Sequence, residues 1–128
     1  GPLNADAGVA YRFIGASETA DSFRDFISSD RRFAAPSLSW KPGDKLQVLA
    51  AVEYLRHESP FDSGTVAVDG RFPLPLHRNL GEPDTGVTRI EAFTASLDAD
   101  YRWSPGWSGS VSLYWQDSDV DGLRVEPA

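Results

Sequence analysis

The chain has 128 residues, so one structural unit of ordinary size is the starting expectation. Its formal net charge of -7 excludes the basic face that nucleic-acid binders present to phosphate, and the absence of cysteine removes disulfides, thiolate metal sites and cysteine nucleophiles together. No apolar run is long enough for a membrane helix or a secretory signal core. The mean hydropathy of -0.34 leaves one membrane architecture open, because a β-barrel faces lipid with alternate residues only and averages as polar.

In chain order, the first segment, about Ala7 to Ser17, sets Val9, Tyr11 and Phe13 against Ala10, Arg12 and Ile14 with weak contrast. Asp21 to Ser28 carries the one helical spacing, with Phe23, Phe26 and Ile27 behind an Asp21 or Ser22 cap, and predicts a helix of at most two turns. Everything else has period 2. Ala34, Pro36, Leu38 and Trp40 alternate with Phe33, Ala35, Ser37 and Ser39, and Leu46, Val48, Ala50, Val52 and Tyr54 alternate with Gln47, Leu49, Ala51, Glu53 and Leu55. The fourth segment alternates without exception, Phe93, Ala95, Leu97, Ala99, Tyr101 and Trp103 against Thr94, Ser96, Asp98, Asp100 and Arg102. In the fifth, Trp107, Gly109, Val111, Leu113 and Trp115 oppose Ser108, Ser110, Ser112, Tyr114 and Gln116. The expected fold is therefore all-β, an antiparallel up-and-down meander of about five strands.

The connections alternate between short and long. Lys41-Pro42-Gly43-Asp44 and Ser104-Pro105-Gly106 read as tight turns in which Pro presets φ and Gly supplies an unusual backbone angle. The others run from about Glu18 to Asp30 and from about His57 to Val87, and a loop of roughly thirty residues is usually functional. Aromatic residues gather at both ends of the apolar face: Trp40, Tyr101, Trp103 and Trp107 beside the short turns, Tyr54 and Trp115 beside the long loops. Short turns at one end, long loops at the other and two aromatic girdles describe a segment of transmembrane β-barrel wall. A soluble β-sandwich alternates in the same way, and a carbohydrate- or protein-binding module of that architecture is the competing reading.

Several stretches together resemble the barrel of TonB-dependent siderophore receptors over nearly the whole chain. They are Ala10-Tyr11-Arg12-Phe13, Asp21-Ser22-Phe23-Arg24-Asp25-Phe26, the run from Phe33 to Pro42 with Asp44, Glu53-Tyr54-Leu55, Pro60-Phe61-Asp62-Ser63-Gly64 and Asn79-Leu80-Gly81-Glu82-Pro83. The resemblance implies that residues 1–128 are part of the receptor's β-barrel domain, an incomplete barrel without plug domain or TonB box. It also implies outer-membrane lipid, a ferric siderophore, the plug, the remaining strands and TonB as partners of the parent receptor. On this reading the protein is not an enzyme, needs no cofactor and belongs to the bacterial cell outer membrane. An open sheet of about five strands leaves edges that hydrocarbon cannot satisfy, so the segment is expected to work only within a larger polypeptide.

The same resemblance points to the long loop as the ligand-binding surface, with Phe61, Arg71, Phe72, His77 and Arg78 as candidate contacts. The bland alternative is that Phe72 to Leu76 packs the loop onto its neighbours. His57, Glu58 and Asp62 are ordinary metal-ligand types, but solvated loop residues account for them equally. Ser63, His77 and Asp69 supply the residue types of a hydrolytic triad without a G-x-S-x-G elbow. Arg12, Glu53, Asp98, Asp100 and Arg102 fall on the polar face, where a plug or neighbouring strand would meet them.

Overall fold

The computed structural model describes residues 1–60, 62, 64, 69–79 and 86–122. They form β1 (Pro2–Asn4), β2 (Val9–Asp21), β3 (Ser28–Trp40), β4 (Leu46–Pro60), β5 (Val87–Ser104) and β6 (Trp107–Gly122). The six strands make one antiparallel meander in which each pairs with its neighbour in sequence, and β1 and β6 are the edges. The all-β expectation holds, with one strand more than the alternation reveals.

That extra strand is too short to show a period. β1 pairs with the start of β2 through Pro2↔Ala10 and Asn4↔Val9, with an irregularity between the two pairs. The N-terminal ammonium of Gly1 donates to the Tyr11 carbonyl at 2.7 Å, and the Tyr11 N–H returns a bond to the Gly1 carbonyl at 2.9 Å. Three residues of strand are worth making because backbone groups at a sheet edge otherwise lack partners.

The expected helix between Asp21 and Ser28 does not form. β2 runs through Asp21, and the Ser22 N–H bonds the Ile27 carbonyl at 2.9 Å, closing a hairpin loop in which Phe26 has φ 63°. Two turns cannot repay the cost of helix nucleation. The Ser22 hydroxyl accepts the Arg24 N–H at 3.2 Å, so the side chain read as a helix cap serves a tight turn instead.

The chain divides into two compact units that cut across the strands: Gly1–Ala16, Phe33–Leu55 and Ala92–Ser118 form one, and Ser17–Arg32, Arg56–Glu91 and Asp119–Ala128 the other. In the first, side chains separate into two faces as the alternation requires. Phe93 meets Trp115 edge-on at 5.4 Å, Tyr101 meets Trp103 at 5.5 Å, and the Trp103 indole lies over Gly109. Recesses of about 510 and 390 Å³ open largely on the opposite face, the first bordered by Lys45, Gln47, Asp100, Arg102, Ser108 and Ser110, the second by Arg12, Ser37, Ser39, Leu49 and Glu53.

Among the described residues no hydrophobic side chain is buried. Trp107 is 75% exposed, and Phe13 (65%), Leu113 (60%) and Val111 (61%) are open to a similar degree. A β-sandwich would bury these residues between two sheets. Here there is one sheet and no second layer, so the described residues do not form the competing fold.

The tight turns differ from expectation in one respect. Neither Gly43 nor Gly106 has a positive φ; among the described glycines of the first unit that conformation belongs to Gly8, at 66°. Gly8 accepts the Lys41 N–H on its carbonyl at 2.8 Å, and a Cβ built there would fall on the Lys41 carbonyl oxygen. Backbone meets backbone, so neither side can move aside. Replacing Gly8 with Ala is expected to cost about 2–4 kcal/mol. Gly43→Ala, where nothing lies within 4 Å, should change stability by less than about 0.5 kcal/mol. Denaturant midpoints of the two variants in lipid micelles check the contrast, and equal effects would contradict it.

Candidate functional site

The second unit carries the long loops. β2 and β3 are joined by the Ser22–Ile27 hairpin loop, and β4 and β5 by residues 61–86, of which 62, 64, 69–79 and 86 are described. Within the longer loop Asp69 (φ 50°) and Gly70 (φ 71°) both have positive φ, the backbone that a type I′ turn demands, and Arg71 follows in an isolated bridge. The Arg78 N–H bonds the Pro75 carbonyl at 3.0 Å and closes a second turn.

Contacts among the described residues tie the long loop to the hairpin loop. The Asp25 N–H donates to the His77 carbonyl at 2.9 Å, and Arg24 Nη1 lies 2.9 Å from Asp62 Oδ1. Asp62 Oδ1 also accepts the Gly64 N–H at 2.9 Å, so one carboxylate oxygen sets a local turn and pairs across to the neighbouring loop. Only 12% of the Arg24 side chain is exposed, while Asp62 is 36% exposed; the guanidinium also sits over the Phe23 ring, 5.7 Å from its centre. Sequence reading misses this pair because the partners lie 38 residues apart and neither belongs to an alternating segment.

Of the candidate contacts, Arg71, Phe72, His77 and Arg78 all lie on the described, exposed part of this loop, and Phe61 falls outside the described residues. His77 is the one whose backbone meets the hairpin loop. Within this segment the apolar run is exposed: Phe72 is 59%, Leu74 41% and Leu76 56% exposed. Among the described loop residues the buried ones are instead Gly86 and Asn79, and Asn79 is not without an interaction partner.

The metal-ligand set does not assemble. His57 and Glu58 are consecutive in β4 and point to opposite faces, and Asp62 is engaged by Arg24. No group of three or more His, Asp or Glu side chains able to hold an ion gathers among the described residues. The His57 Nδ1 atom is buried without a hydrogen-bond partner, which places that ring in the sheet and not in a solvated loop. Ser63, needed for the triad, lies outside the described residues.

A second feature of this unit lengthens the strands beyond their apolar segments. Glu58 Oε1 receives Arg56 Nη2 and Arg89 Nε, each at 2.6 Å, and Arg56 Nη1 reaches Glu91 at 3.5 Å. On the neighbouring strands Asp30 accepts from Thr19 Oγ1 at 3.2 Å and from Arg32 Nε at 3.0 Å. Arg56 and Glu58 continue the even-numbered series of β4 that contains Leu46, Val48 and Tyr54, and Arg89 and Glu91 continue the odd-numbered series of β5 that contains Phe93 and Leu97. The apolar series of both strands therefore ends in ion pairs on the long-loop side. The signal is present in the sequence: Arg-x-Glu occurs at Arg56 and again at Arg89, and in antiparallel strands the same triplet places each Arg opposite a Glu.

A single uncovered sheet, apolar on one face and polar on the other, with long loops clasped at one end, is the geometry of a barrel-wall segment. No family model matches the chain. It is 32% identical over 126 residues, 98% of its length, to the metal-pseudopaline receptor CntO of Pseudomonas aeruginosa strain PAO1. The counterpart in strain UCBPP-PA14 matches with the same identity and coverage. The chain spans 18% of the length of each of these relatives. The similarity is thus to one stretch of a receptor.

The ion pairs generate a prediction. Glu58→Gln and Arg89→Gln alone should each lower the denaturant midpoint slightly, because each removes one partner of an ion pair at a partly exposed site. The double variant should lose less than the sum of the two, because either single change already breaks the pair. A double-mutant cycle from denaturant midpoints measures it; simple additivity would mean that the pair contributes nothing.

Proposed function

We propose that this chain is a wall segment of an outer-membrane receptor that binds a metal chelate at its long-loop end and admits it to the periplasm. The observation that carries the proposal is the uncovered apolar face: a six-stranded sheet with no buried hydrophobic side chain among its described residues requires lipid on that face and further strands at its edges. The similarity to a metal-pseudopaline receptor supports the receptor role. It also moves the ligand from the ferric siderophore implied by the first resemblance to a metallophore of the pseudopaline kind, with the metal ion as cargo.

In this role the segment breaks no bond and needs no resident cofactor. The polar face, with Arg12, Glu53, Asp98, Asp100 and Arg102, meets the plug domain or the lumen, and the loop carrying Arg71, Phe72, His77 and Arg78 meets the ligand outside. Energy to displace the plug would come through TonB, acting on parts of the receptor outside this segment. Residues 1–128 are one piece of the barrel domain.

The test is uptake. In cells carrying the full-length receptor, replacing residues 61–82 with a short Gly/Ser linker should lower accumulation of metal supplied as its pseudopaline complex by at least about tenfold. The barrel should still fold, because loop length costs little in stability, and heat-modifiable gel migration monitors that. Unchanged uptake with a folded barrel would place the binding surface elsewhere.

A further inference from the structure

Resting on that reading, we propose that the charged ends of β3, β4 and β5 form a site for the headgroup of an outer-leaflet lipid: Arg32 and Arg89 hold its phosphates, and the recess that Asp30 and Glu58 border takes the sugar that carries them.

Both arginines meet their acids through one donor only. Arg32 Nε lies 3.0 Å from Asp30 and Arg89 Nε 2.6 Å from Glu58. Among the described residues the terminal amino groups of these two guanidiniums have no hydrogen-bond partner, and the side chains are 67% and 48% exposed. The acid therefore fixes each side chain and leaves its outer edge open. That edge presents two parallel N–H donors, the geometry that matches two oxygens of one phosphate.

The strand series selects the anion. Asp30 and Arg32 continue the even-numbered series of β3 that contains Leu38 and Trp40, and Arg89 continues the odd-numbered series of β5 that contains Phe93 and Leu97. On the proposed reading those series face lipid, so the charges that follow them meet headgroups. β4 lies between β3 and β5, which sets the two arginine-bearing strands about 10 Å apart and calls for two phosphates on one headgroup. A recess of about 200 Å³ in the same unit is bordered by Thr19, Ser28, Asp30 and Glu58. Asp30 already accepts from Thr19 and Arg32, whereas Glu58 Oε2 has no hydrogen bond among the described residues. Hydroxyls and an open carboxylate oxygen are partners for sugar hydroxyls, so the group between the phosphates is a sugar.

The experiment titrates the full-length receptor, in non-ionic detergent with EDTA, with diphosphoryl lipid A or its dephosphorylated form, and counts bound lipid by native mass spectrometry. The wild type should prefer the phosphorylated lipid by at least about tenfold. In the double variant Arg32→Gln/Arg89→Gln the two lipids should bind alike, and Arg→Lys at both positions should restore part of the preference. Glu91→Gln, which removes an ion pair from the same network and touches neither fork, should keep the preference within about twofold. Equal loss in Glu91→Gln and in the double variant would reduce the arginines to structural ion pairs and overturn the proposal. So would a preference seen only when EDTA is replaced by a divalent cation, which would put that cation on Asp30 and Glu58. Inorganic phosphate at the same concentration should not displace the lipid; displacement would make free phosphate the ligand and also overturn it. A folded barrel, judged by heat-modifiable migration, that binds both lipids alike would overturn only the headgroup site. A parent protein that forms no such barrel would overturn the membrane reading beneath it.

Discussion

The constraint on which everything else depends is that this single layer of sheet buries no apolar side chain among its described residues. Burial of apolar surface is the main favourable term in folding, and this chain leaves Trp103, Trp107, Leu113 and Trp115 uncovered along one face. Hydrogen bonds between the strands satisfy the backbone but cannot supply that missing term. Something outside the chain must cover the face. The proposed cover is hydrocarbon, with flanking strands of the same polypeptide at β1 and β6, and the polar side chains of the other face then belong to an aqueous or plugged interior.

The aromatic and charged residues give that cover its limits. Trp40, Trp103 and Trp107 mark one end of the apolar face, and Tyr54, Phe93 and Trp115 the other. Beyond the second set the side chains of β4 and β5 become Arg56, Glu58, Arg89 and Glu91, paired across the strands. Charged side chains cannot sit at the lipid midplane without a large cost, whereas paired charges continuing a strand past the interface cost little.

Legibility in the sequence follows the range of each interaction. The five long strands and their two faces are readable because alternation is local, and β5 repeats it without exception from Phe93 to Trp103. β1 is invisible because three residues carry no period, and the ends of β4 and β5 are missed because charge replaces hydrophobicity there. The Asp21 to Ser28 stretch shows the opposite error: three spaced apolar residues suggest a helix, but the Ser22 hydroxyl and the Ser22–Ile27 hydrogen bond close a loop first. At the candidate site the exposed loop residues are visible by composition. The Arg24–Asp62 pair is not, because it depends on two loops meeting.

The central claim is that the two faces of one strand meet different solvents, and Leu97 and Asp98 of β5, adjacent in sequence and opposite in direction, test it most directly. Nitroxide labels placed singly at the two positions in the full-length receptor, reconstituted in lipid, can be relaxed by oxygen, which concentrates in hydrocarbon, or by a water-soluble paramagnetic nickel chelate. The account predicts stronger relaxation by oxygen at Leu97 and weaker relaxation there by the nickel chelate than at Asp98. Equal accessibility to both reagents at both positions, or the reversed pattern, would contradict it.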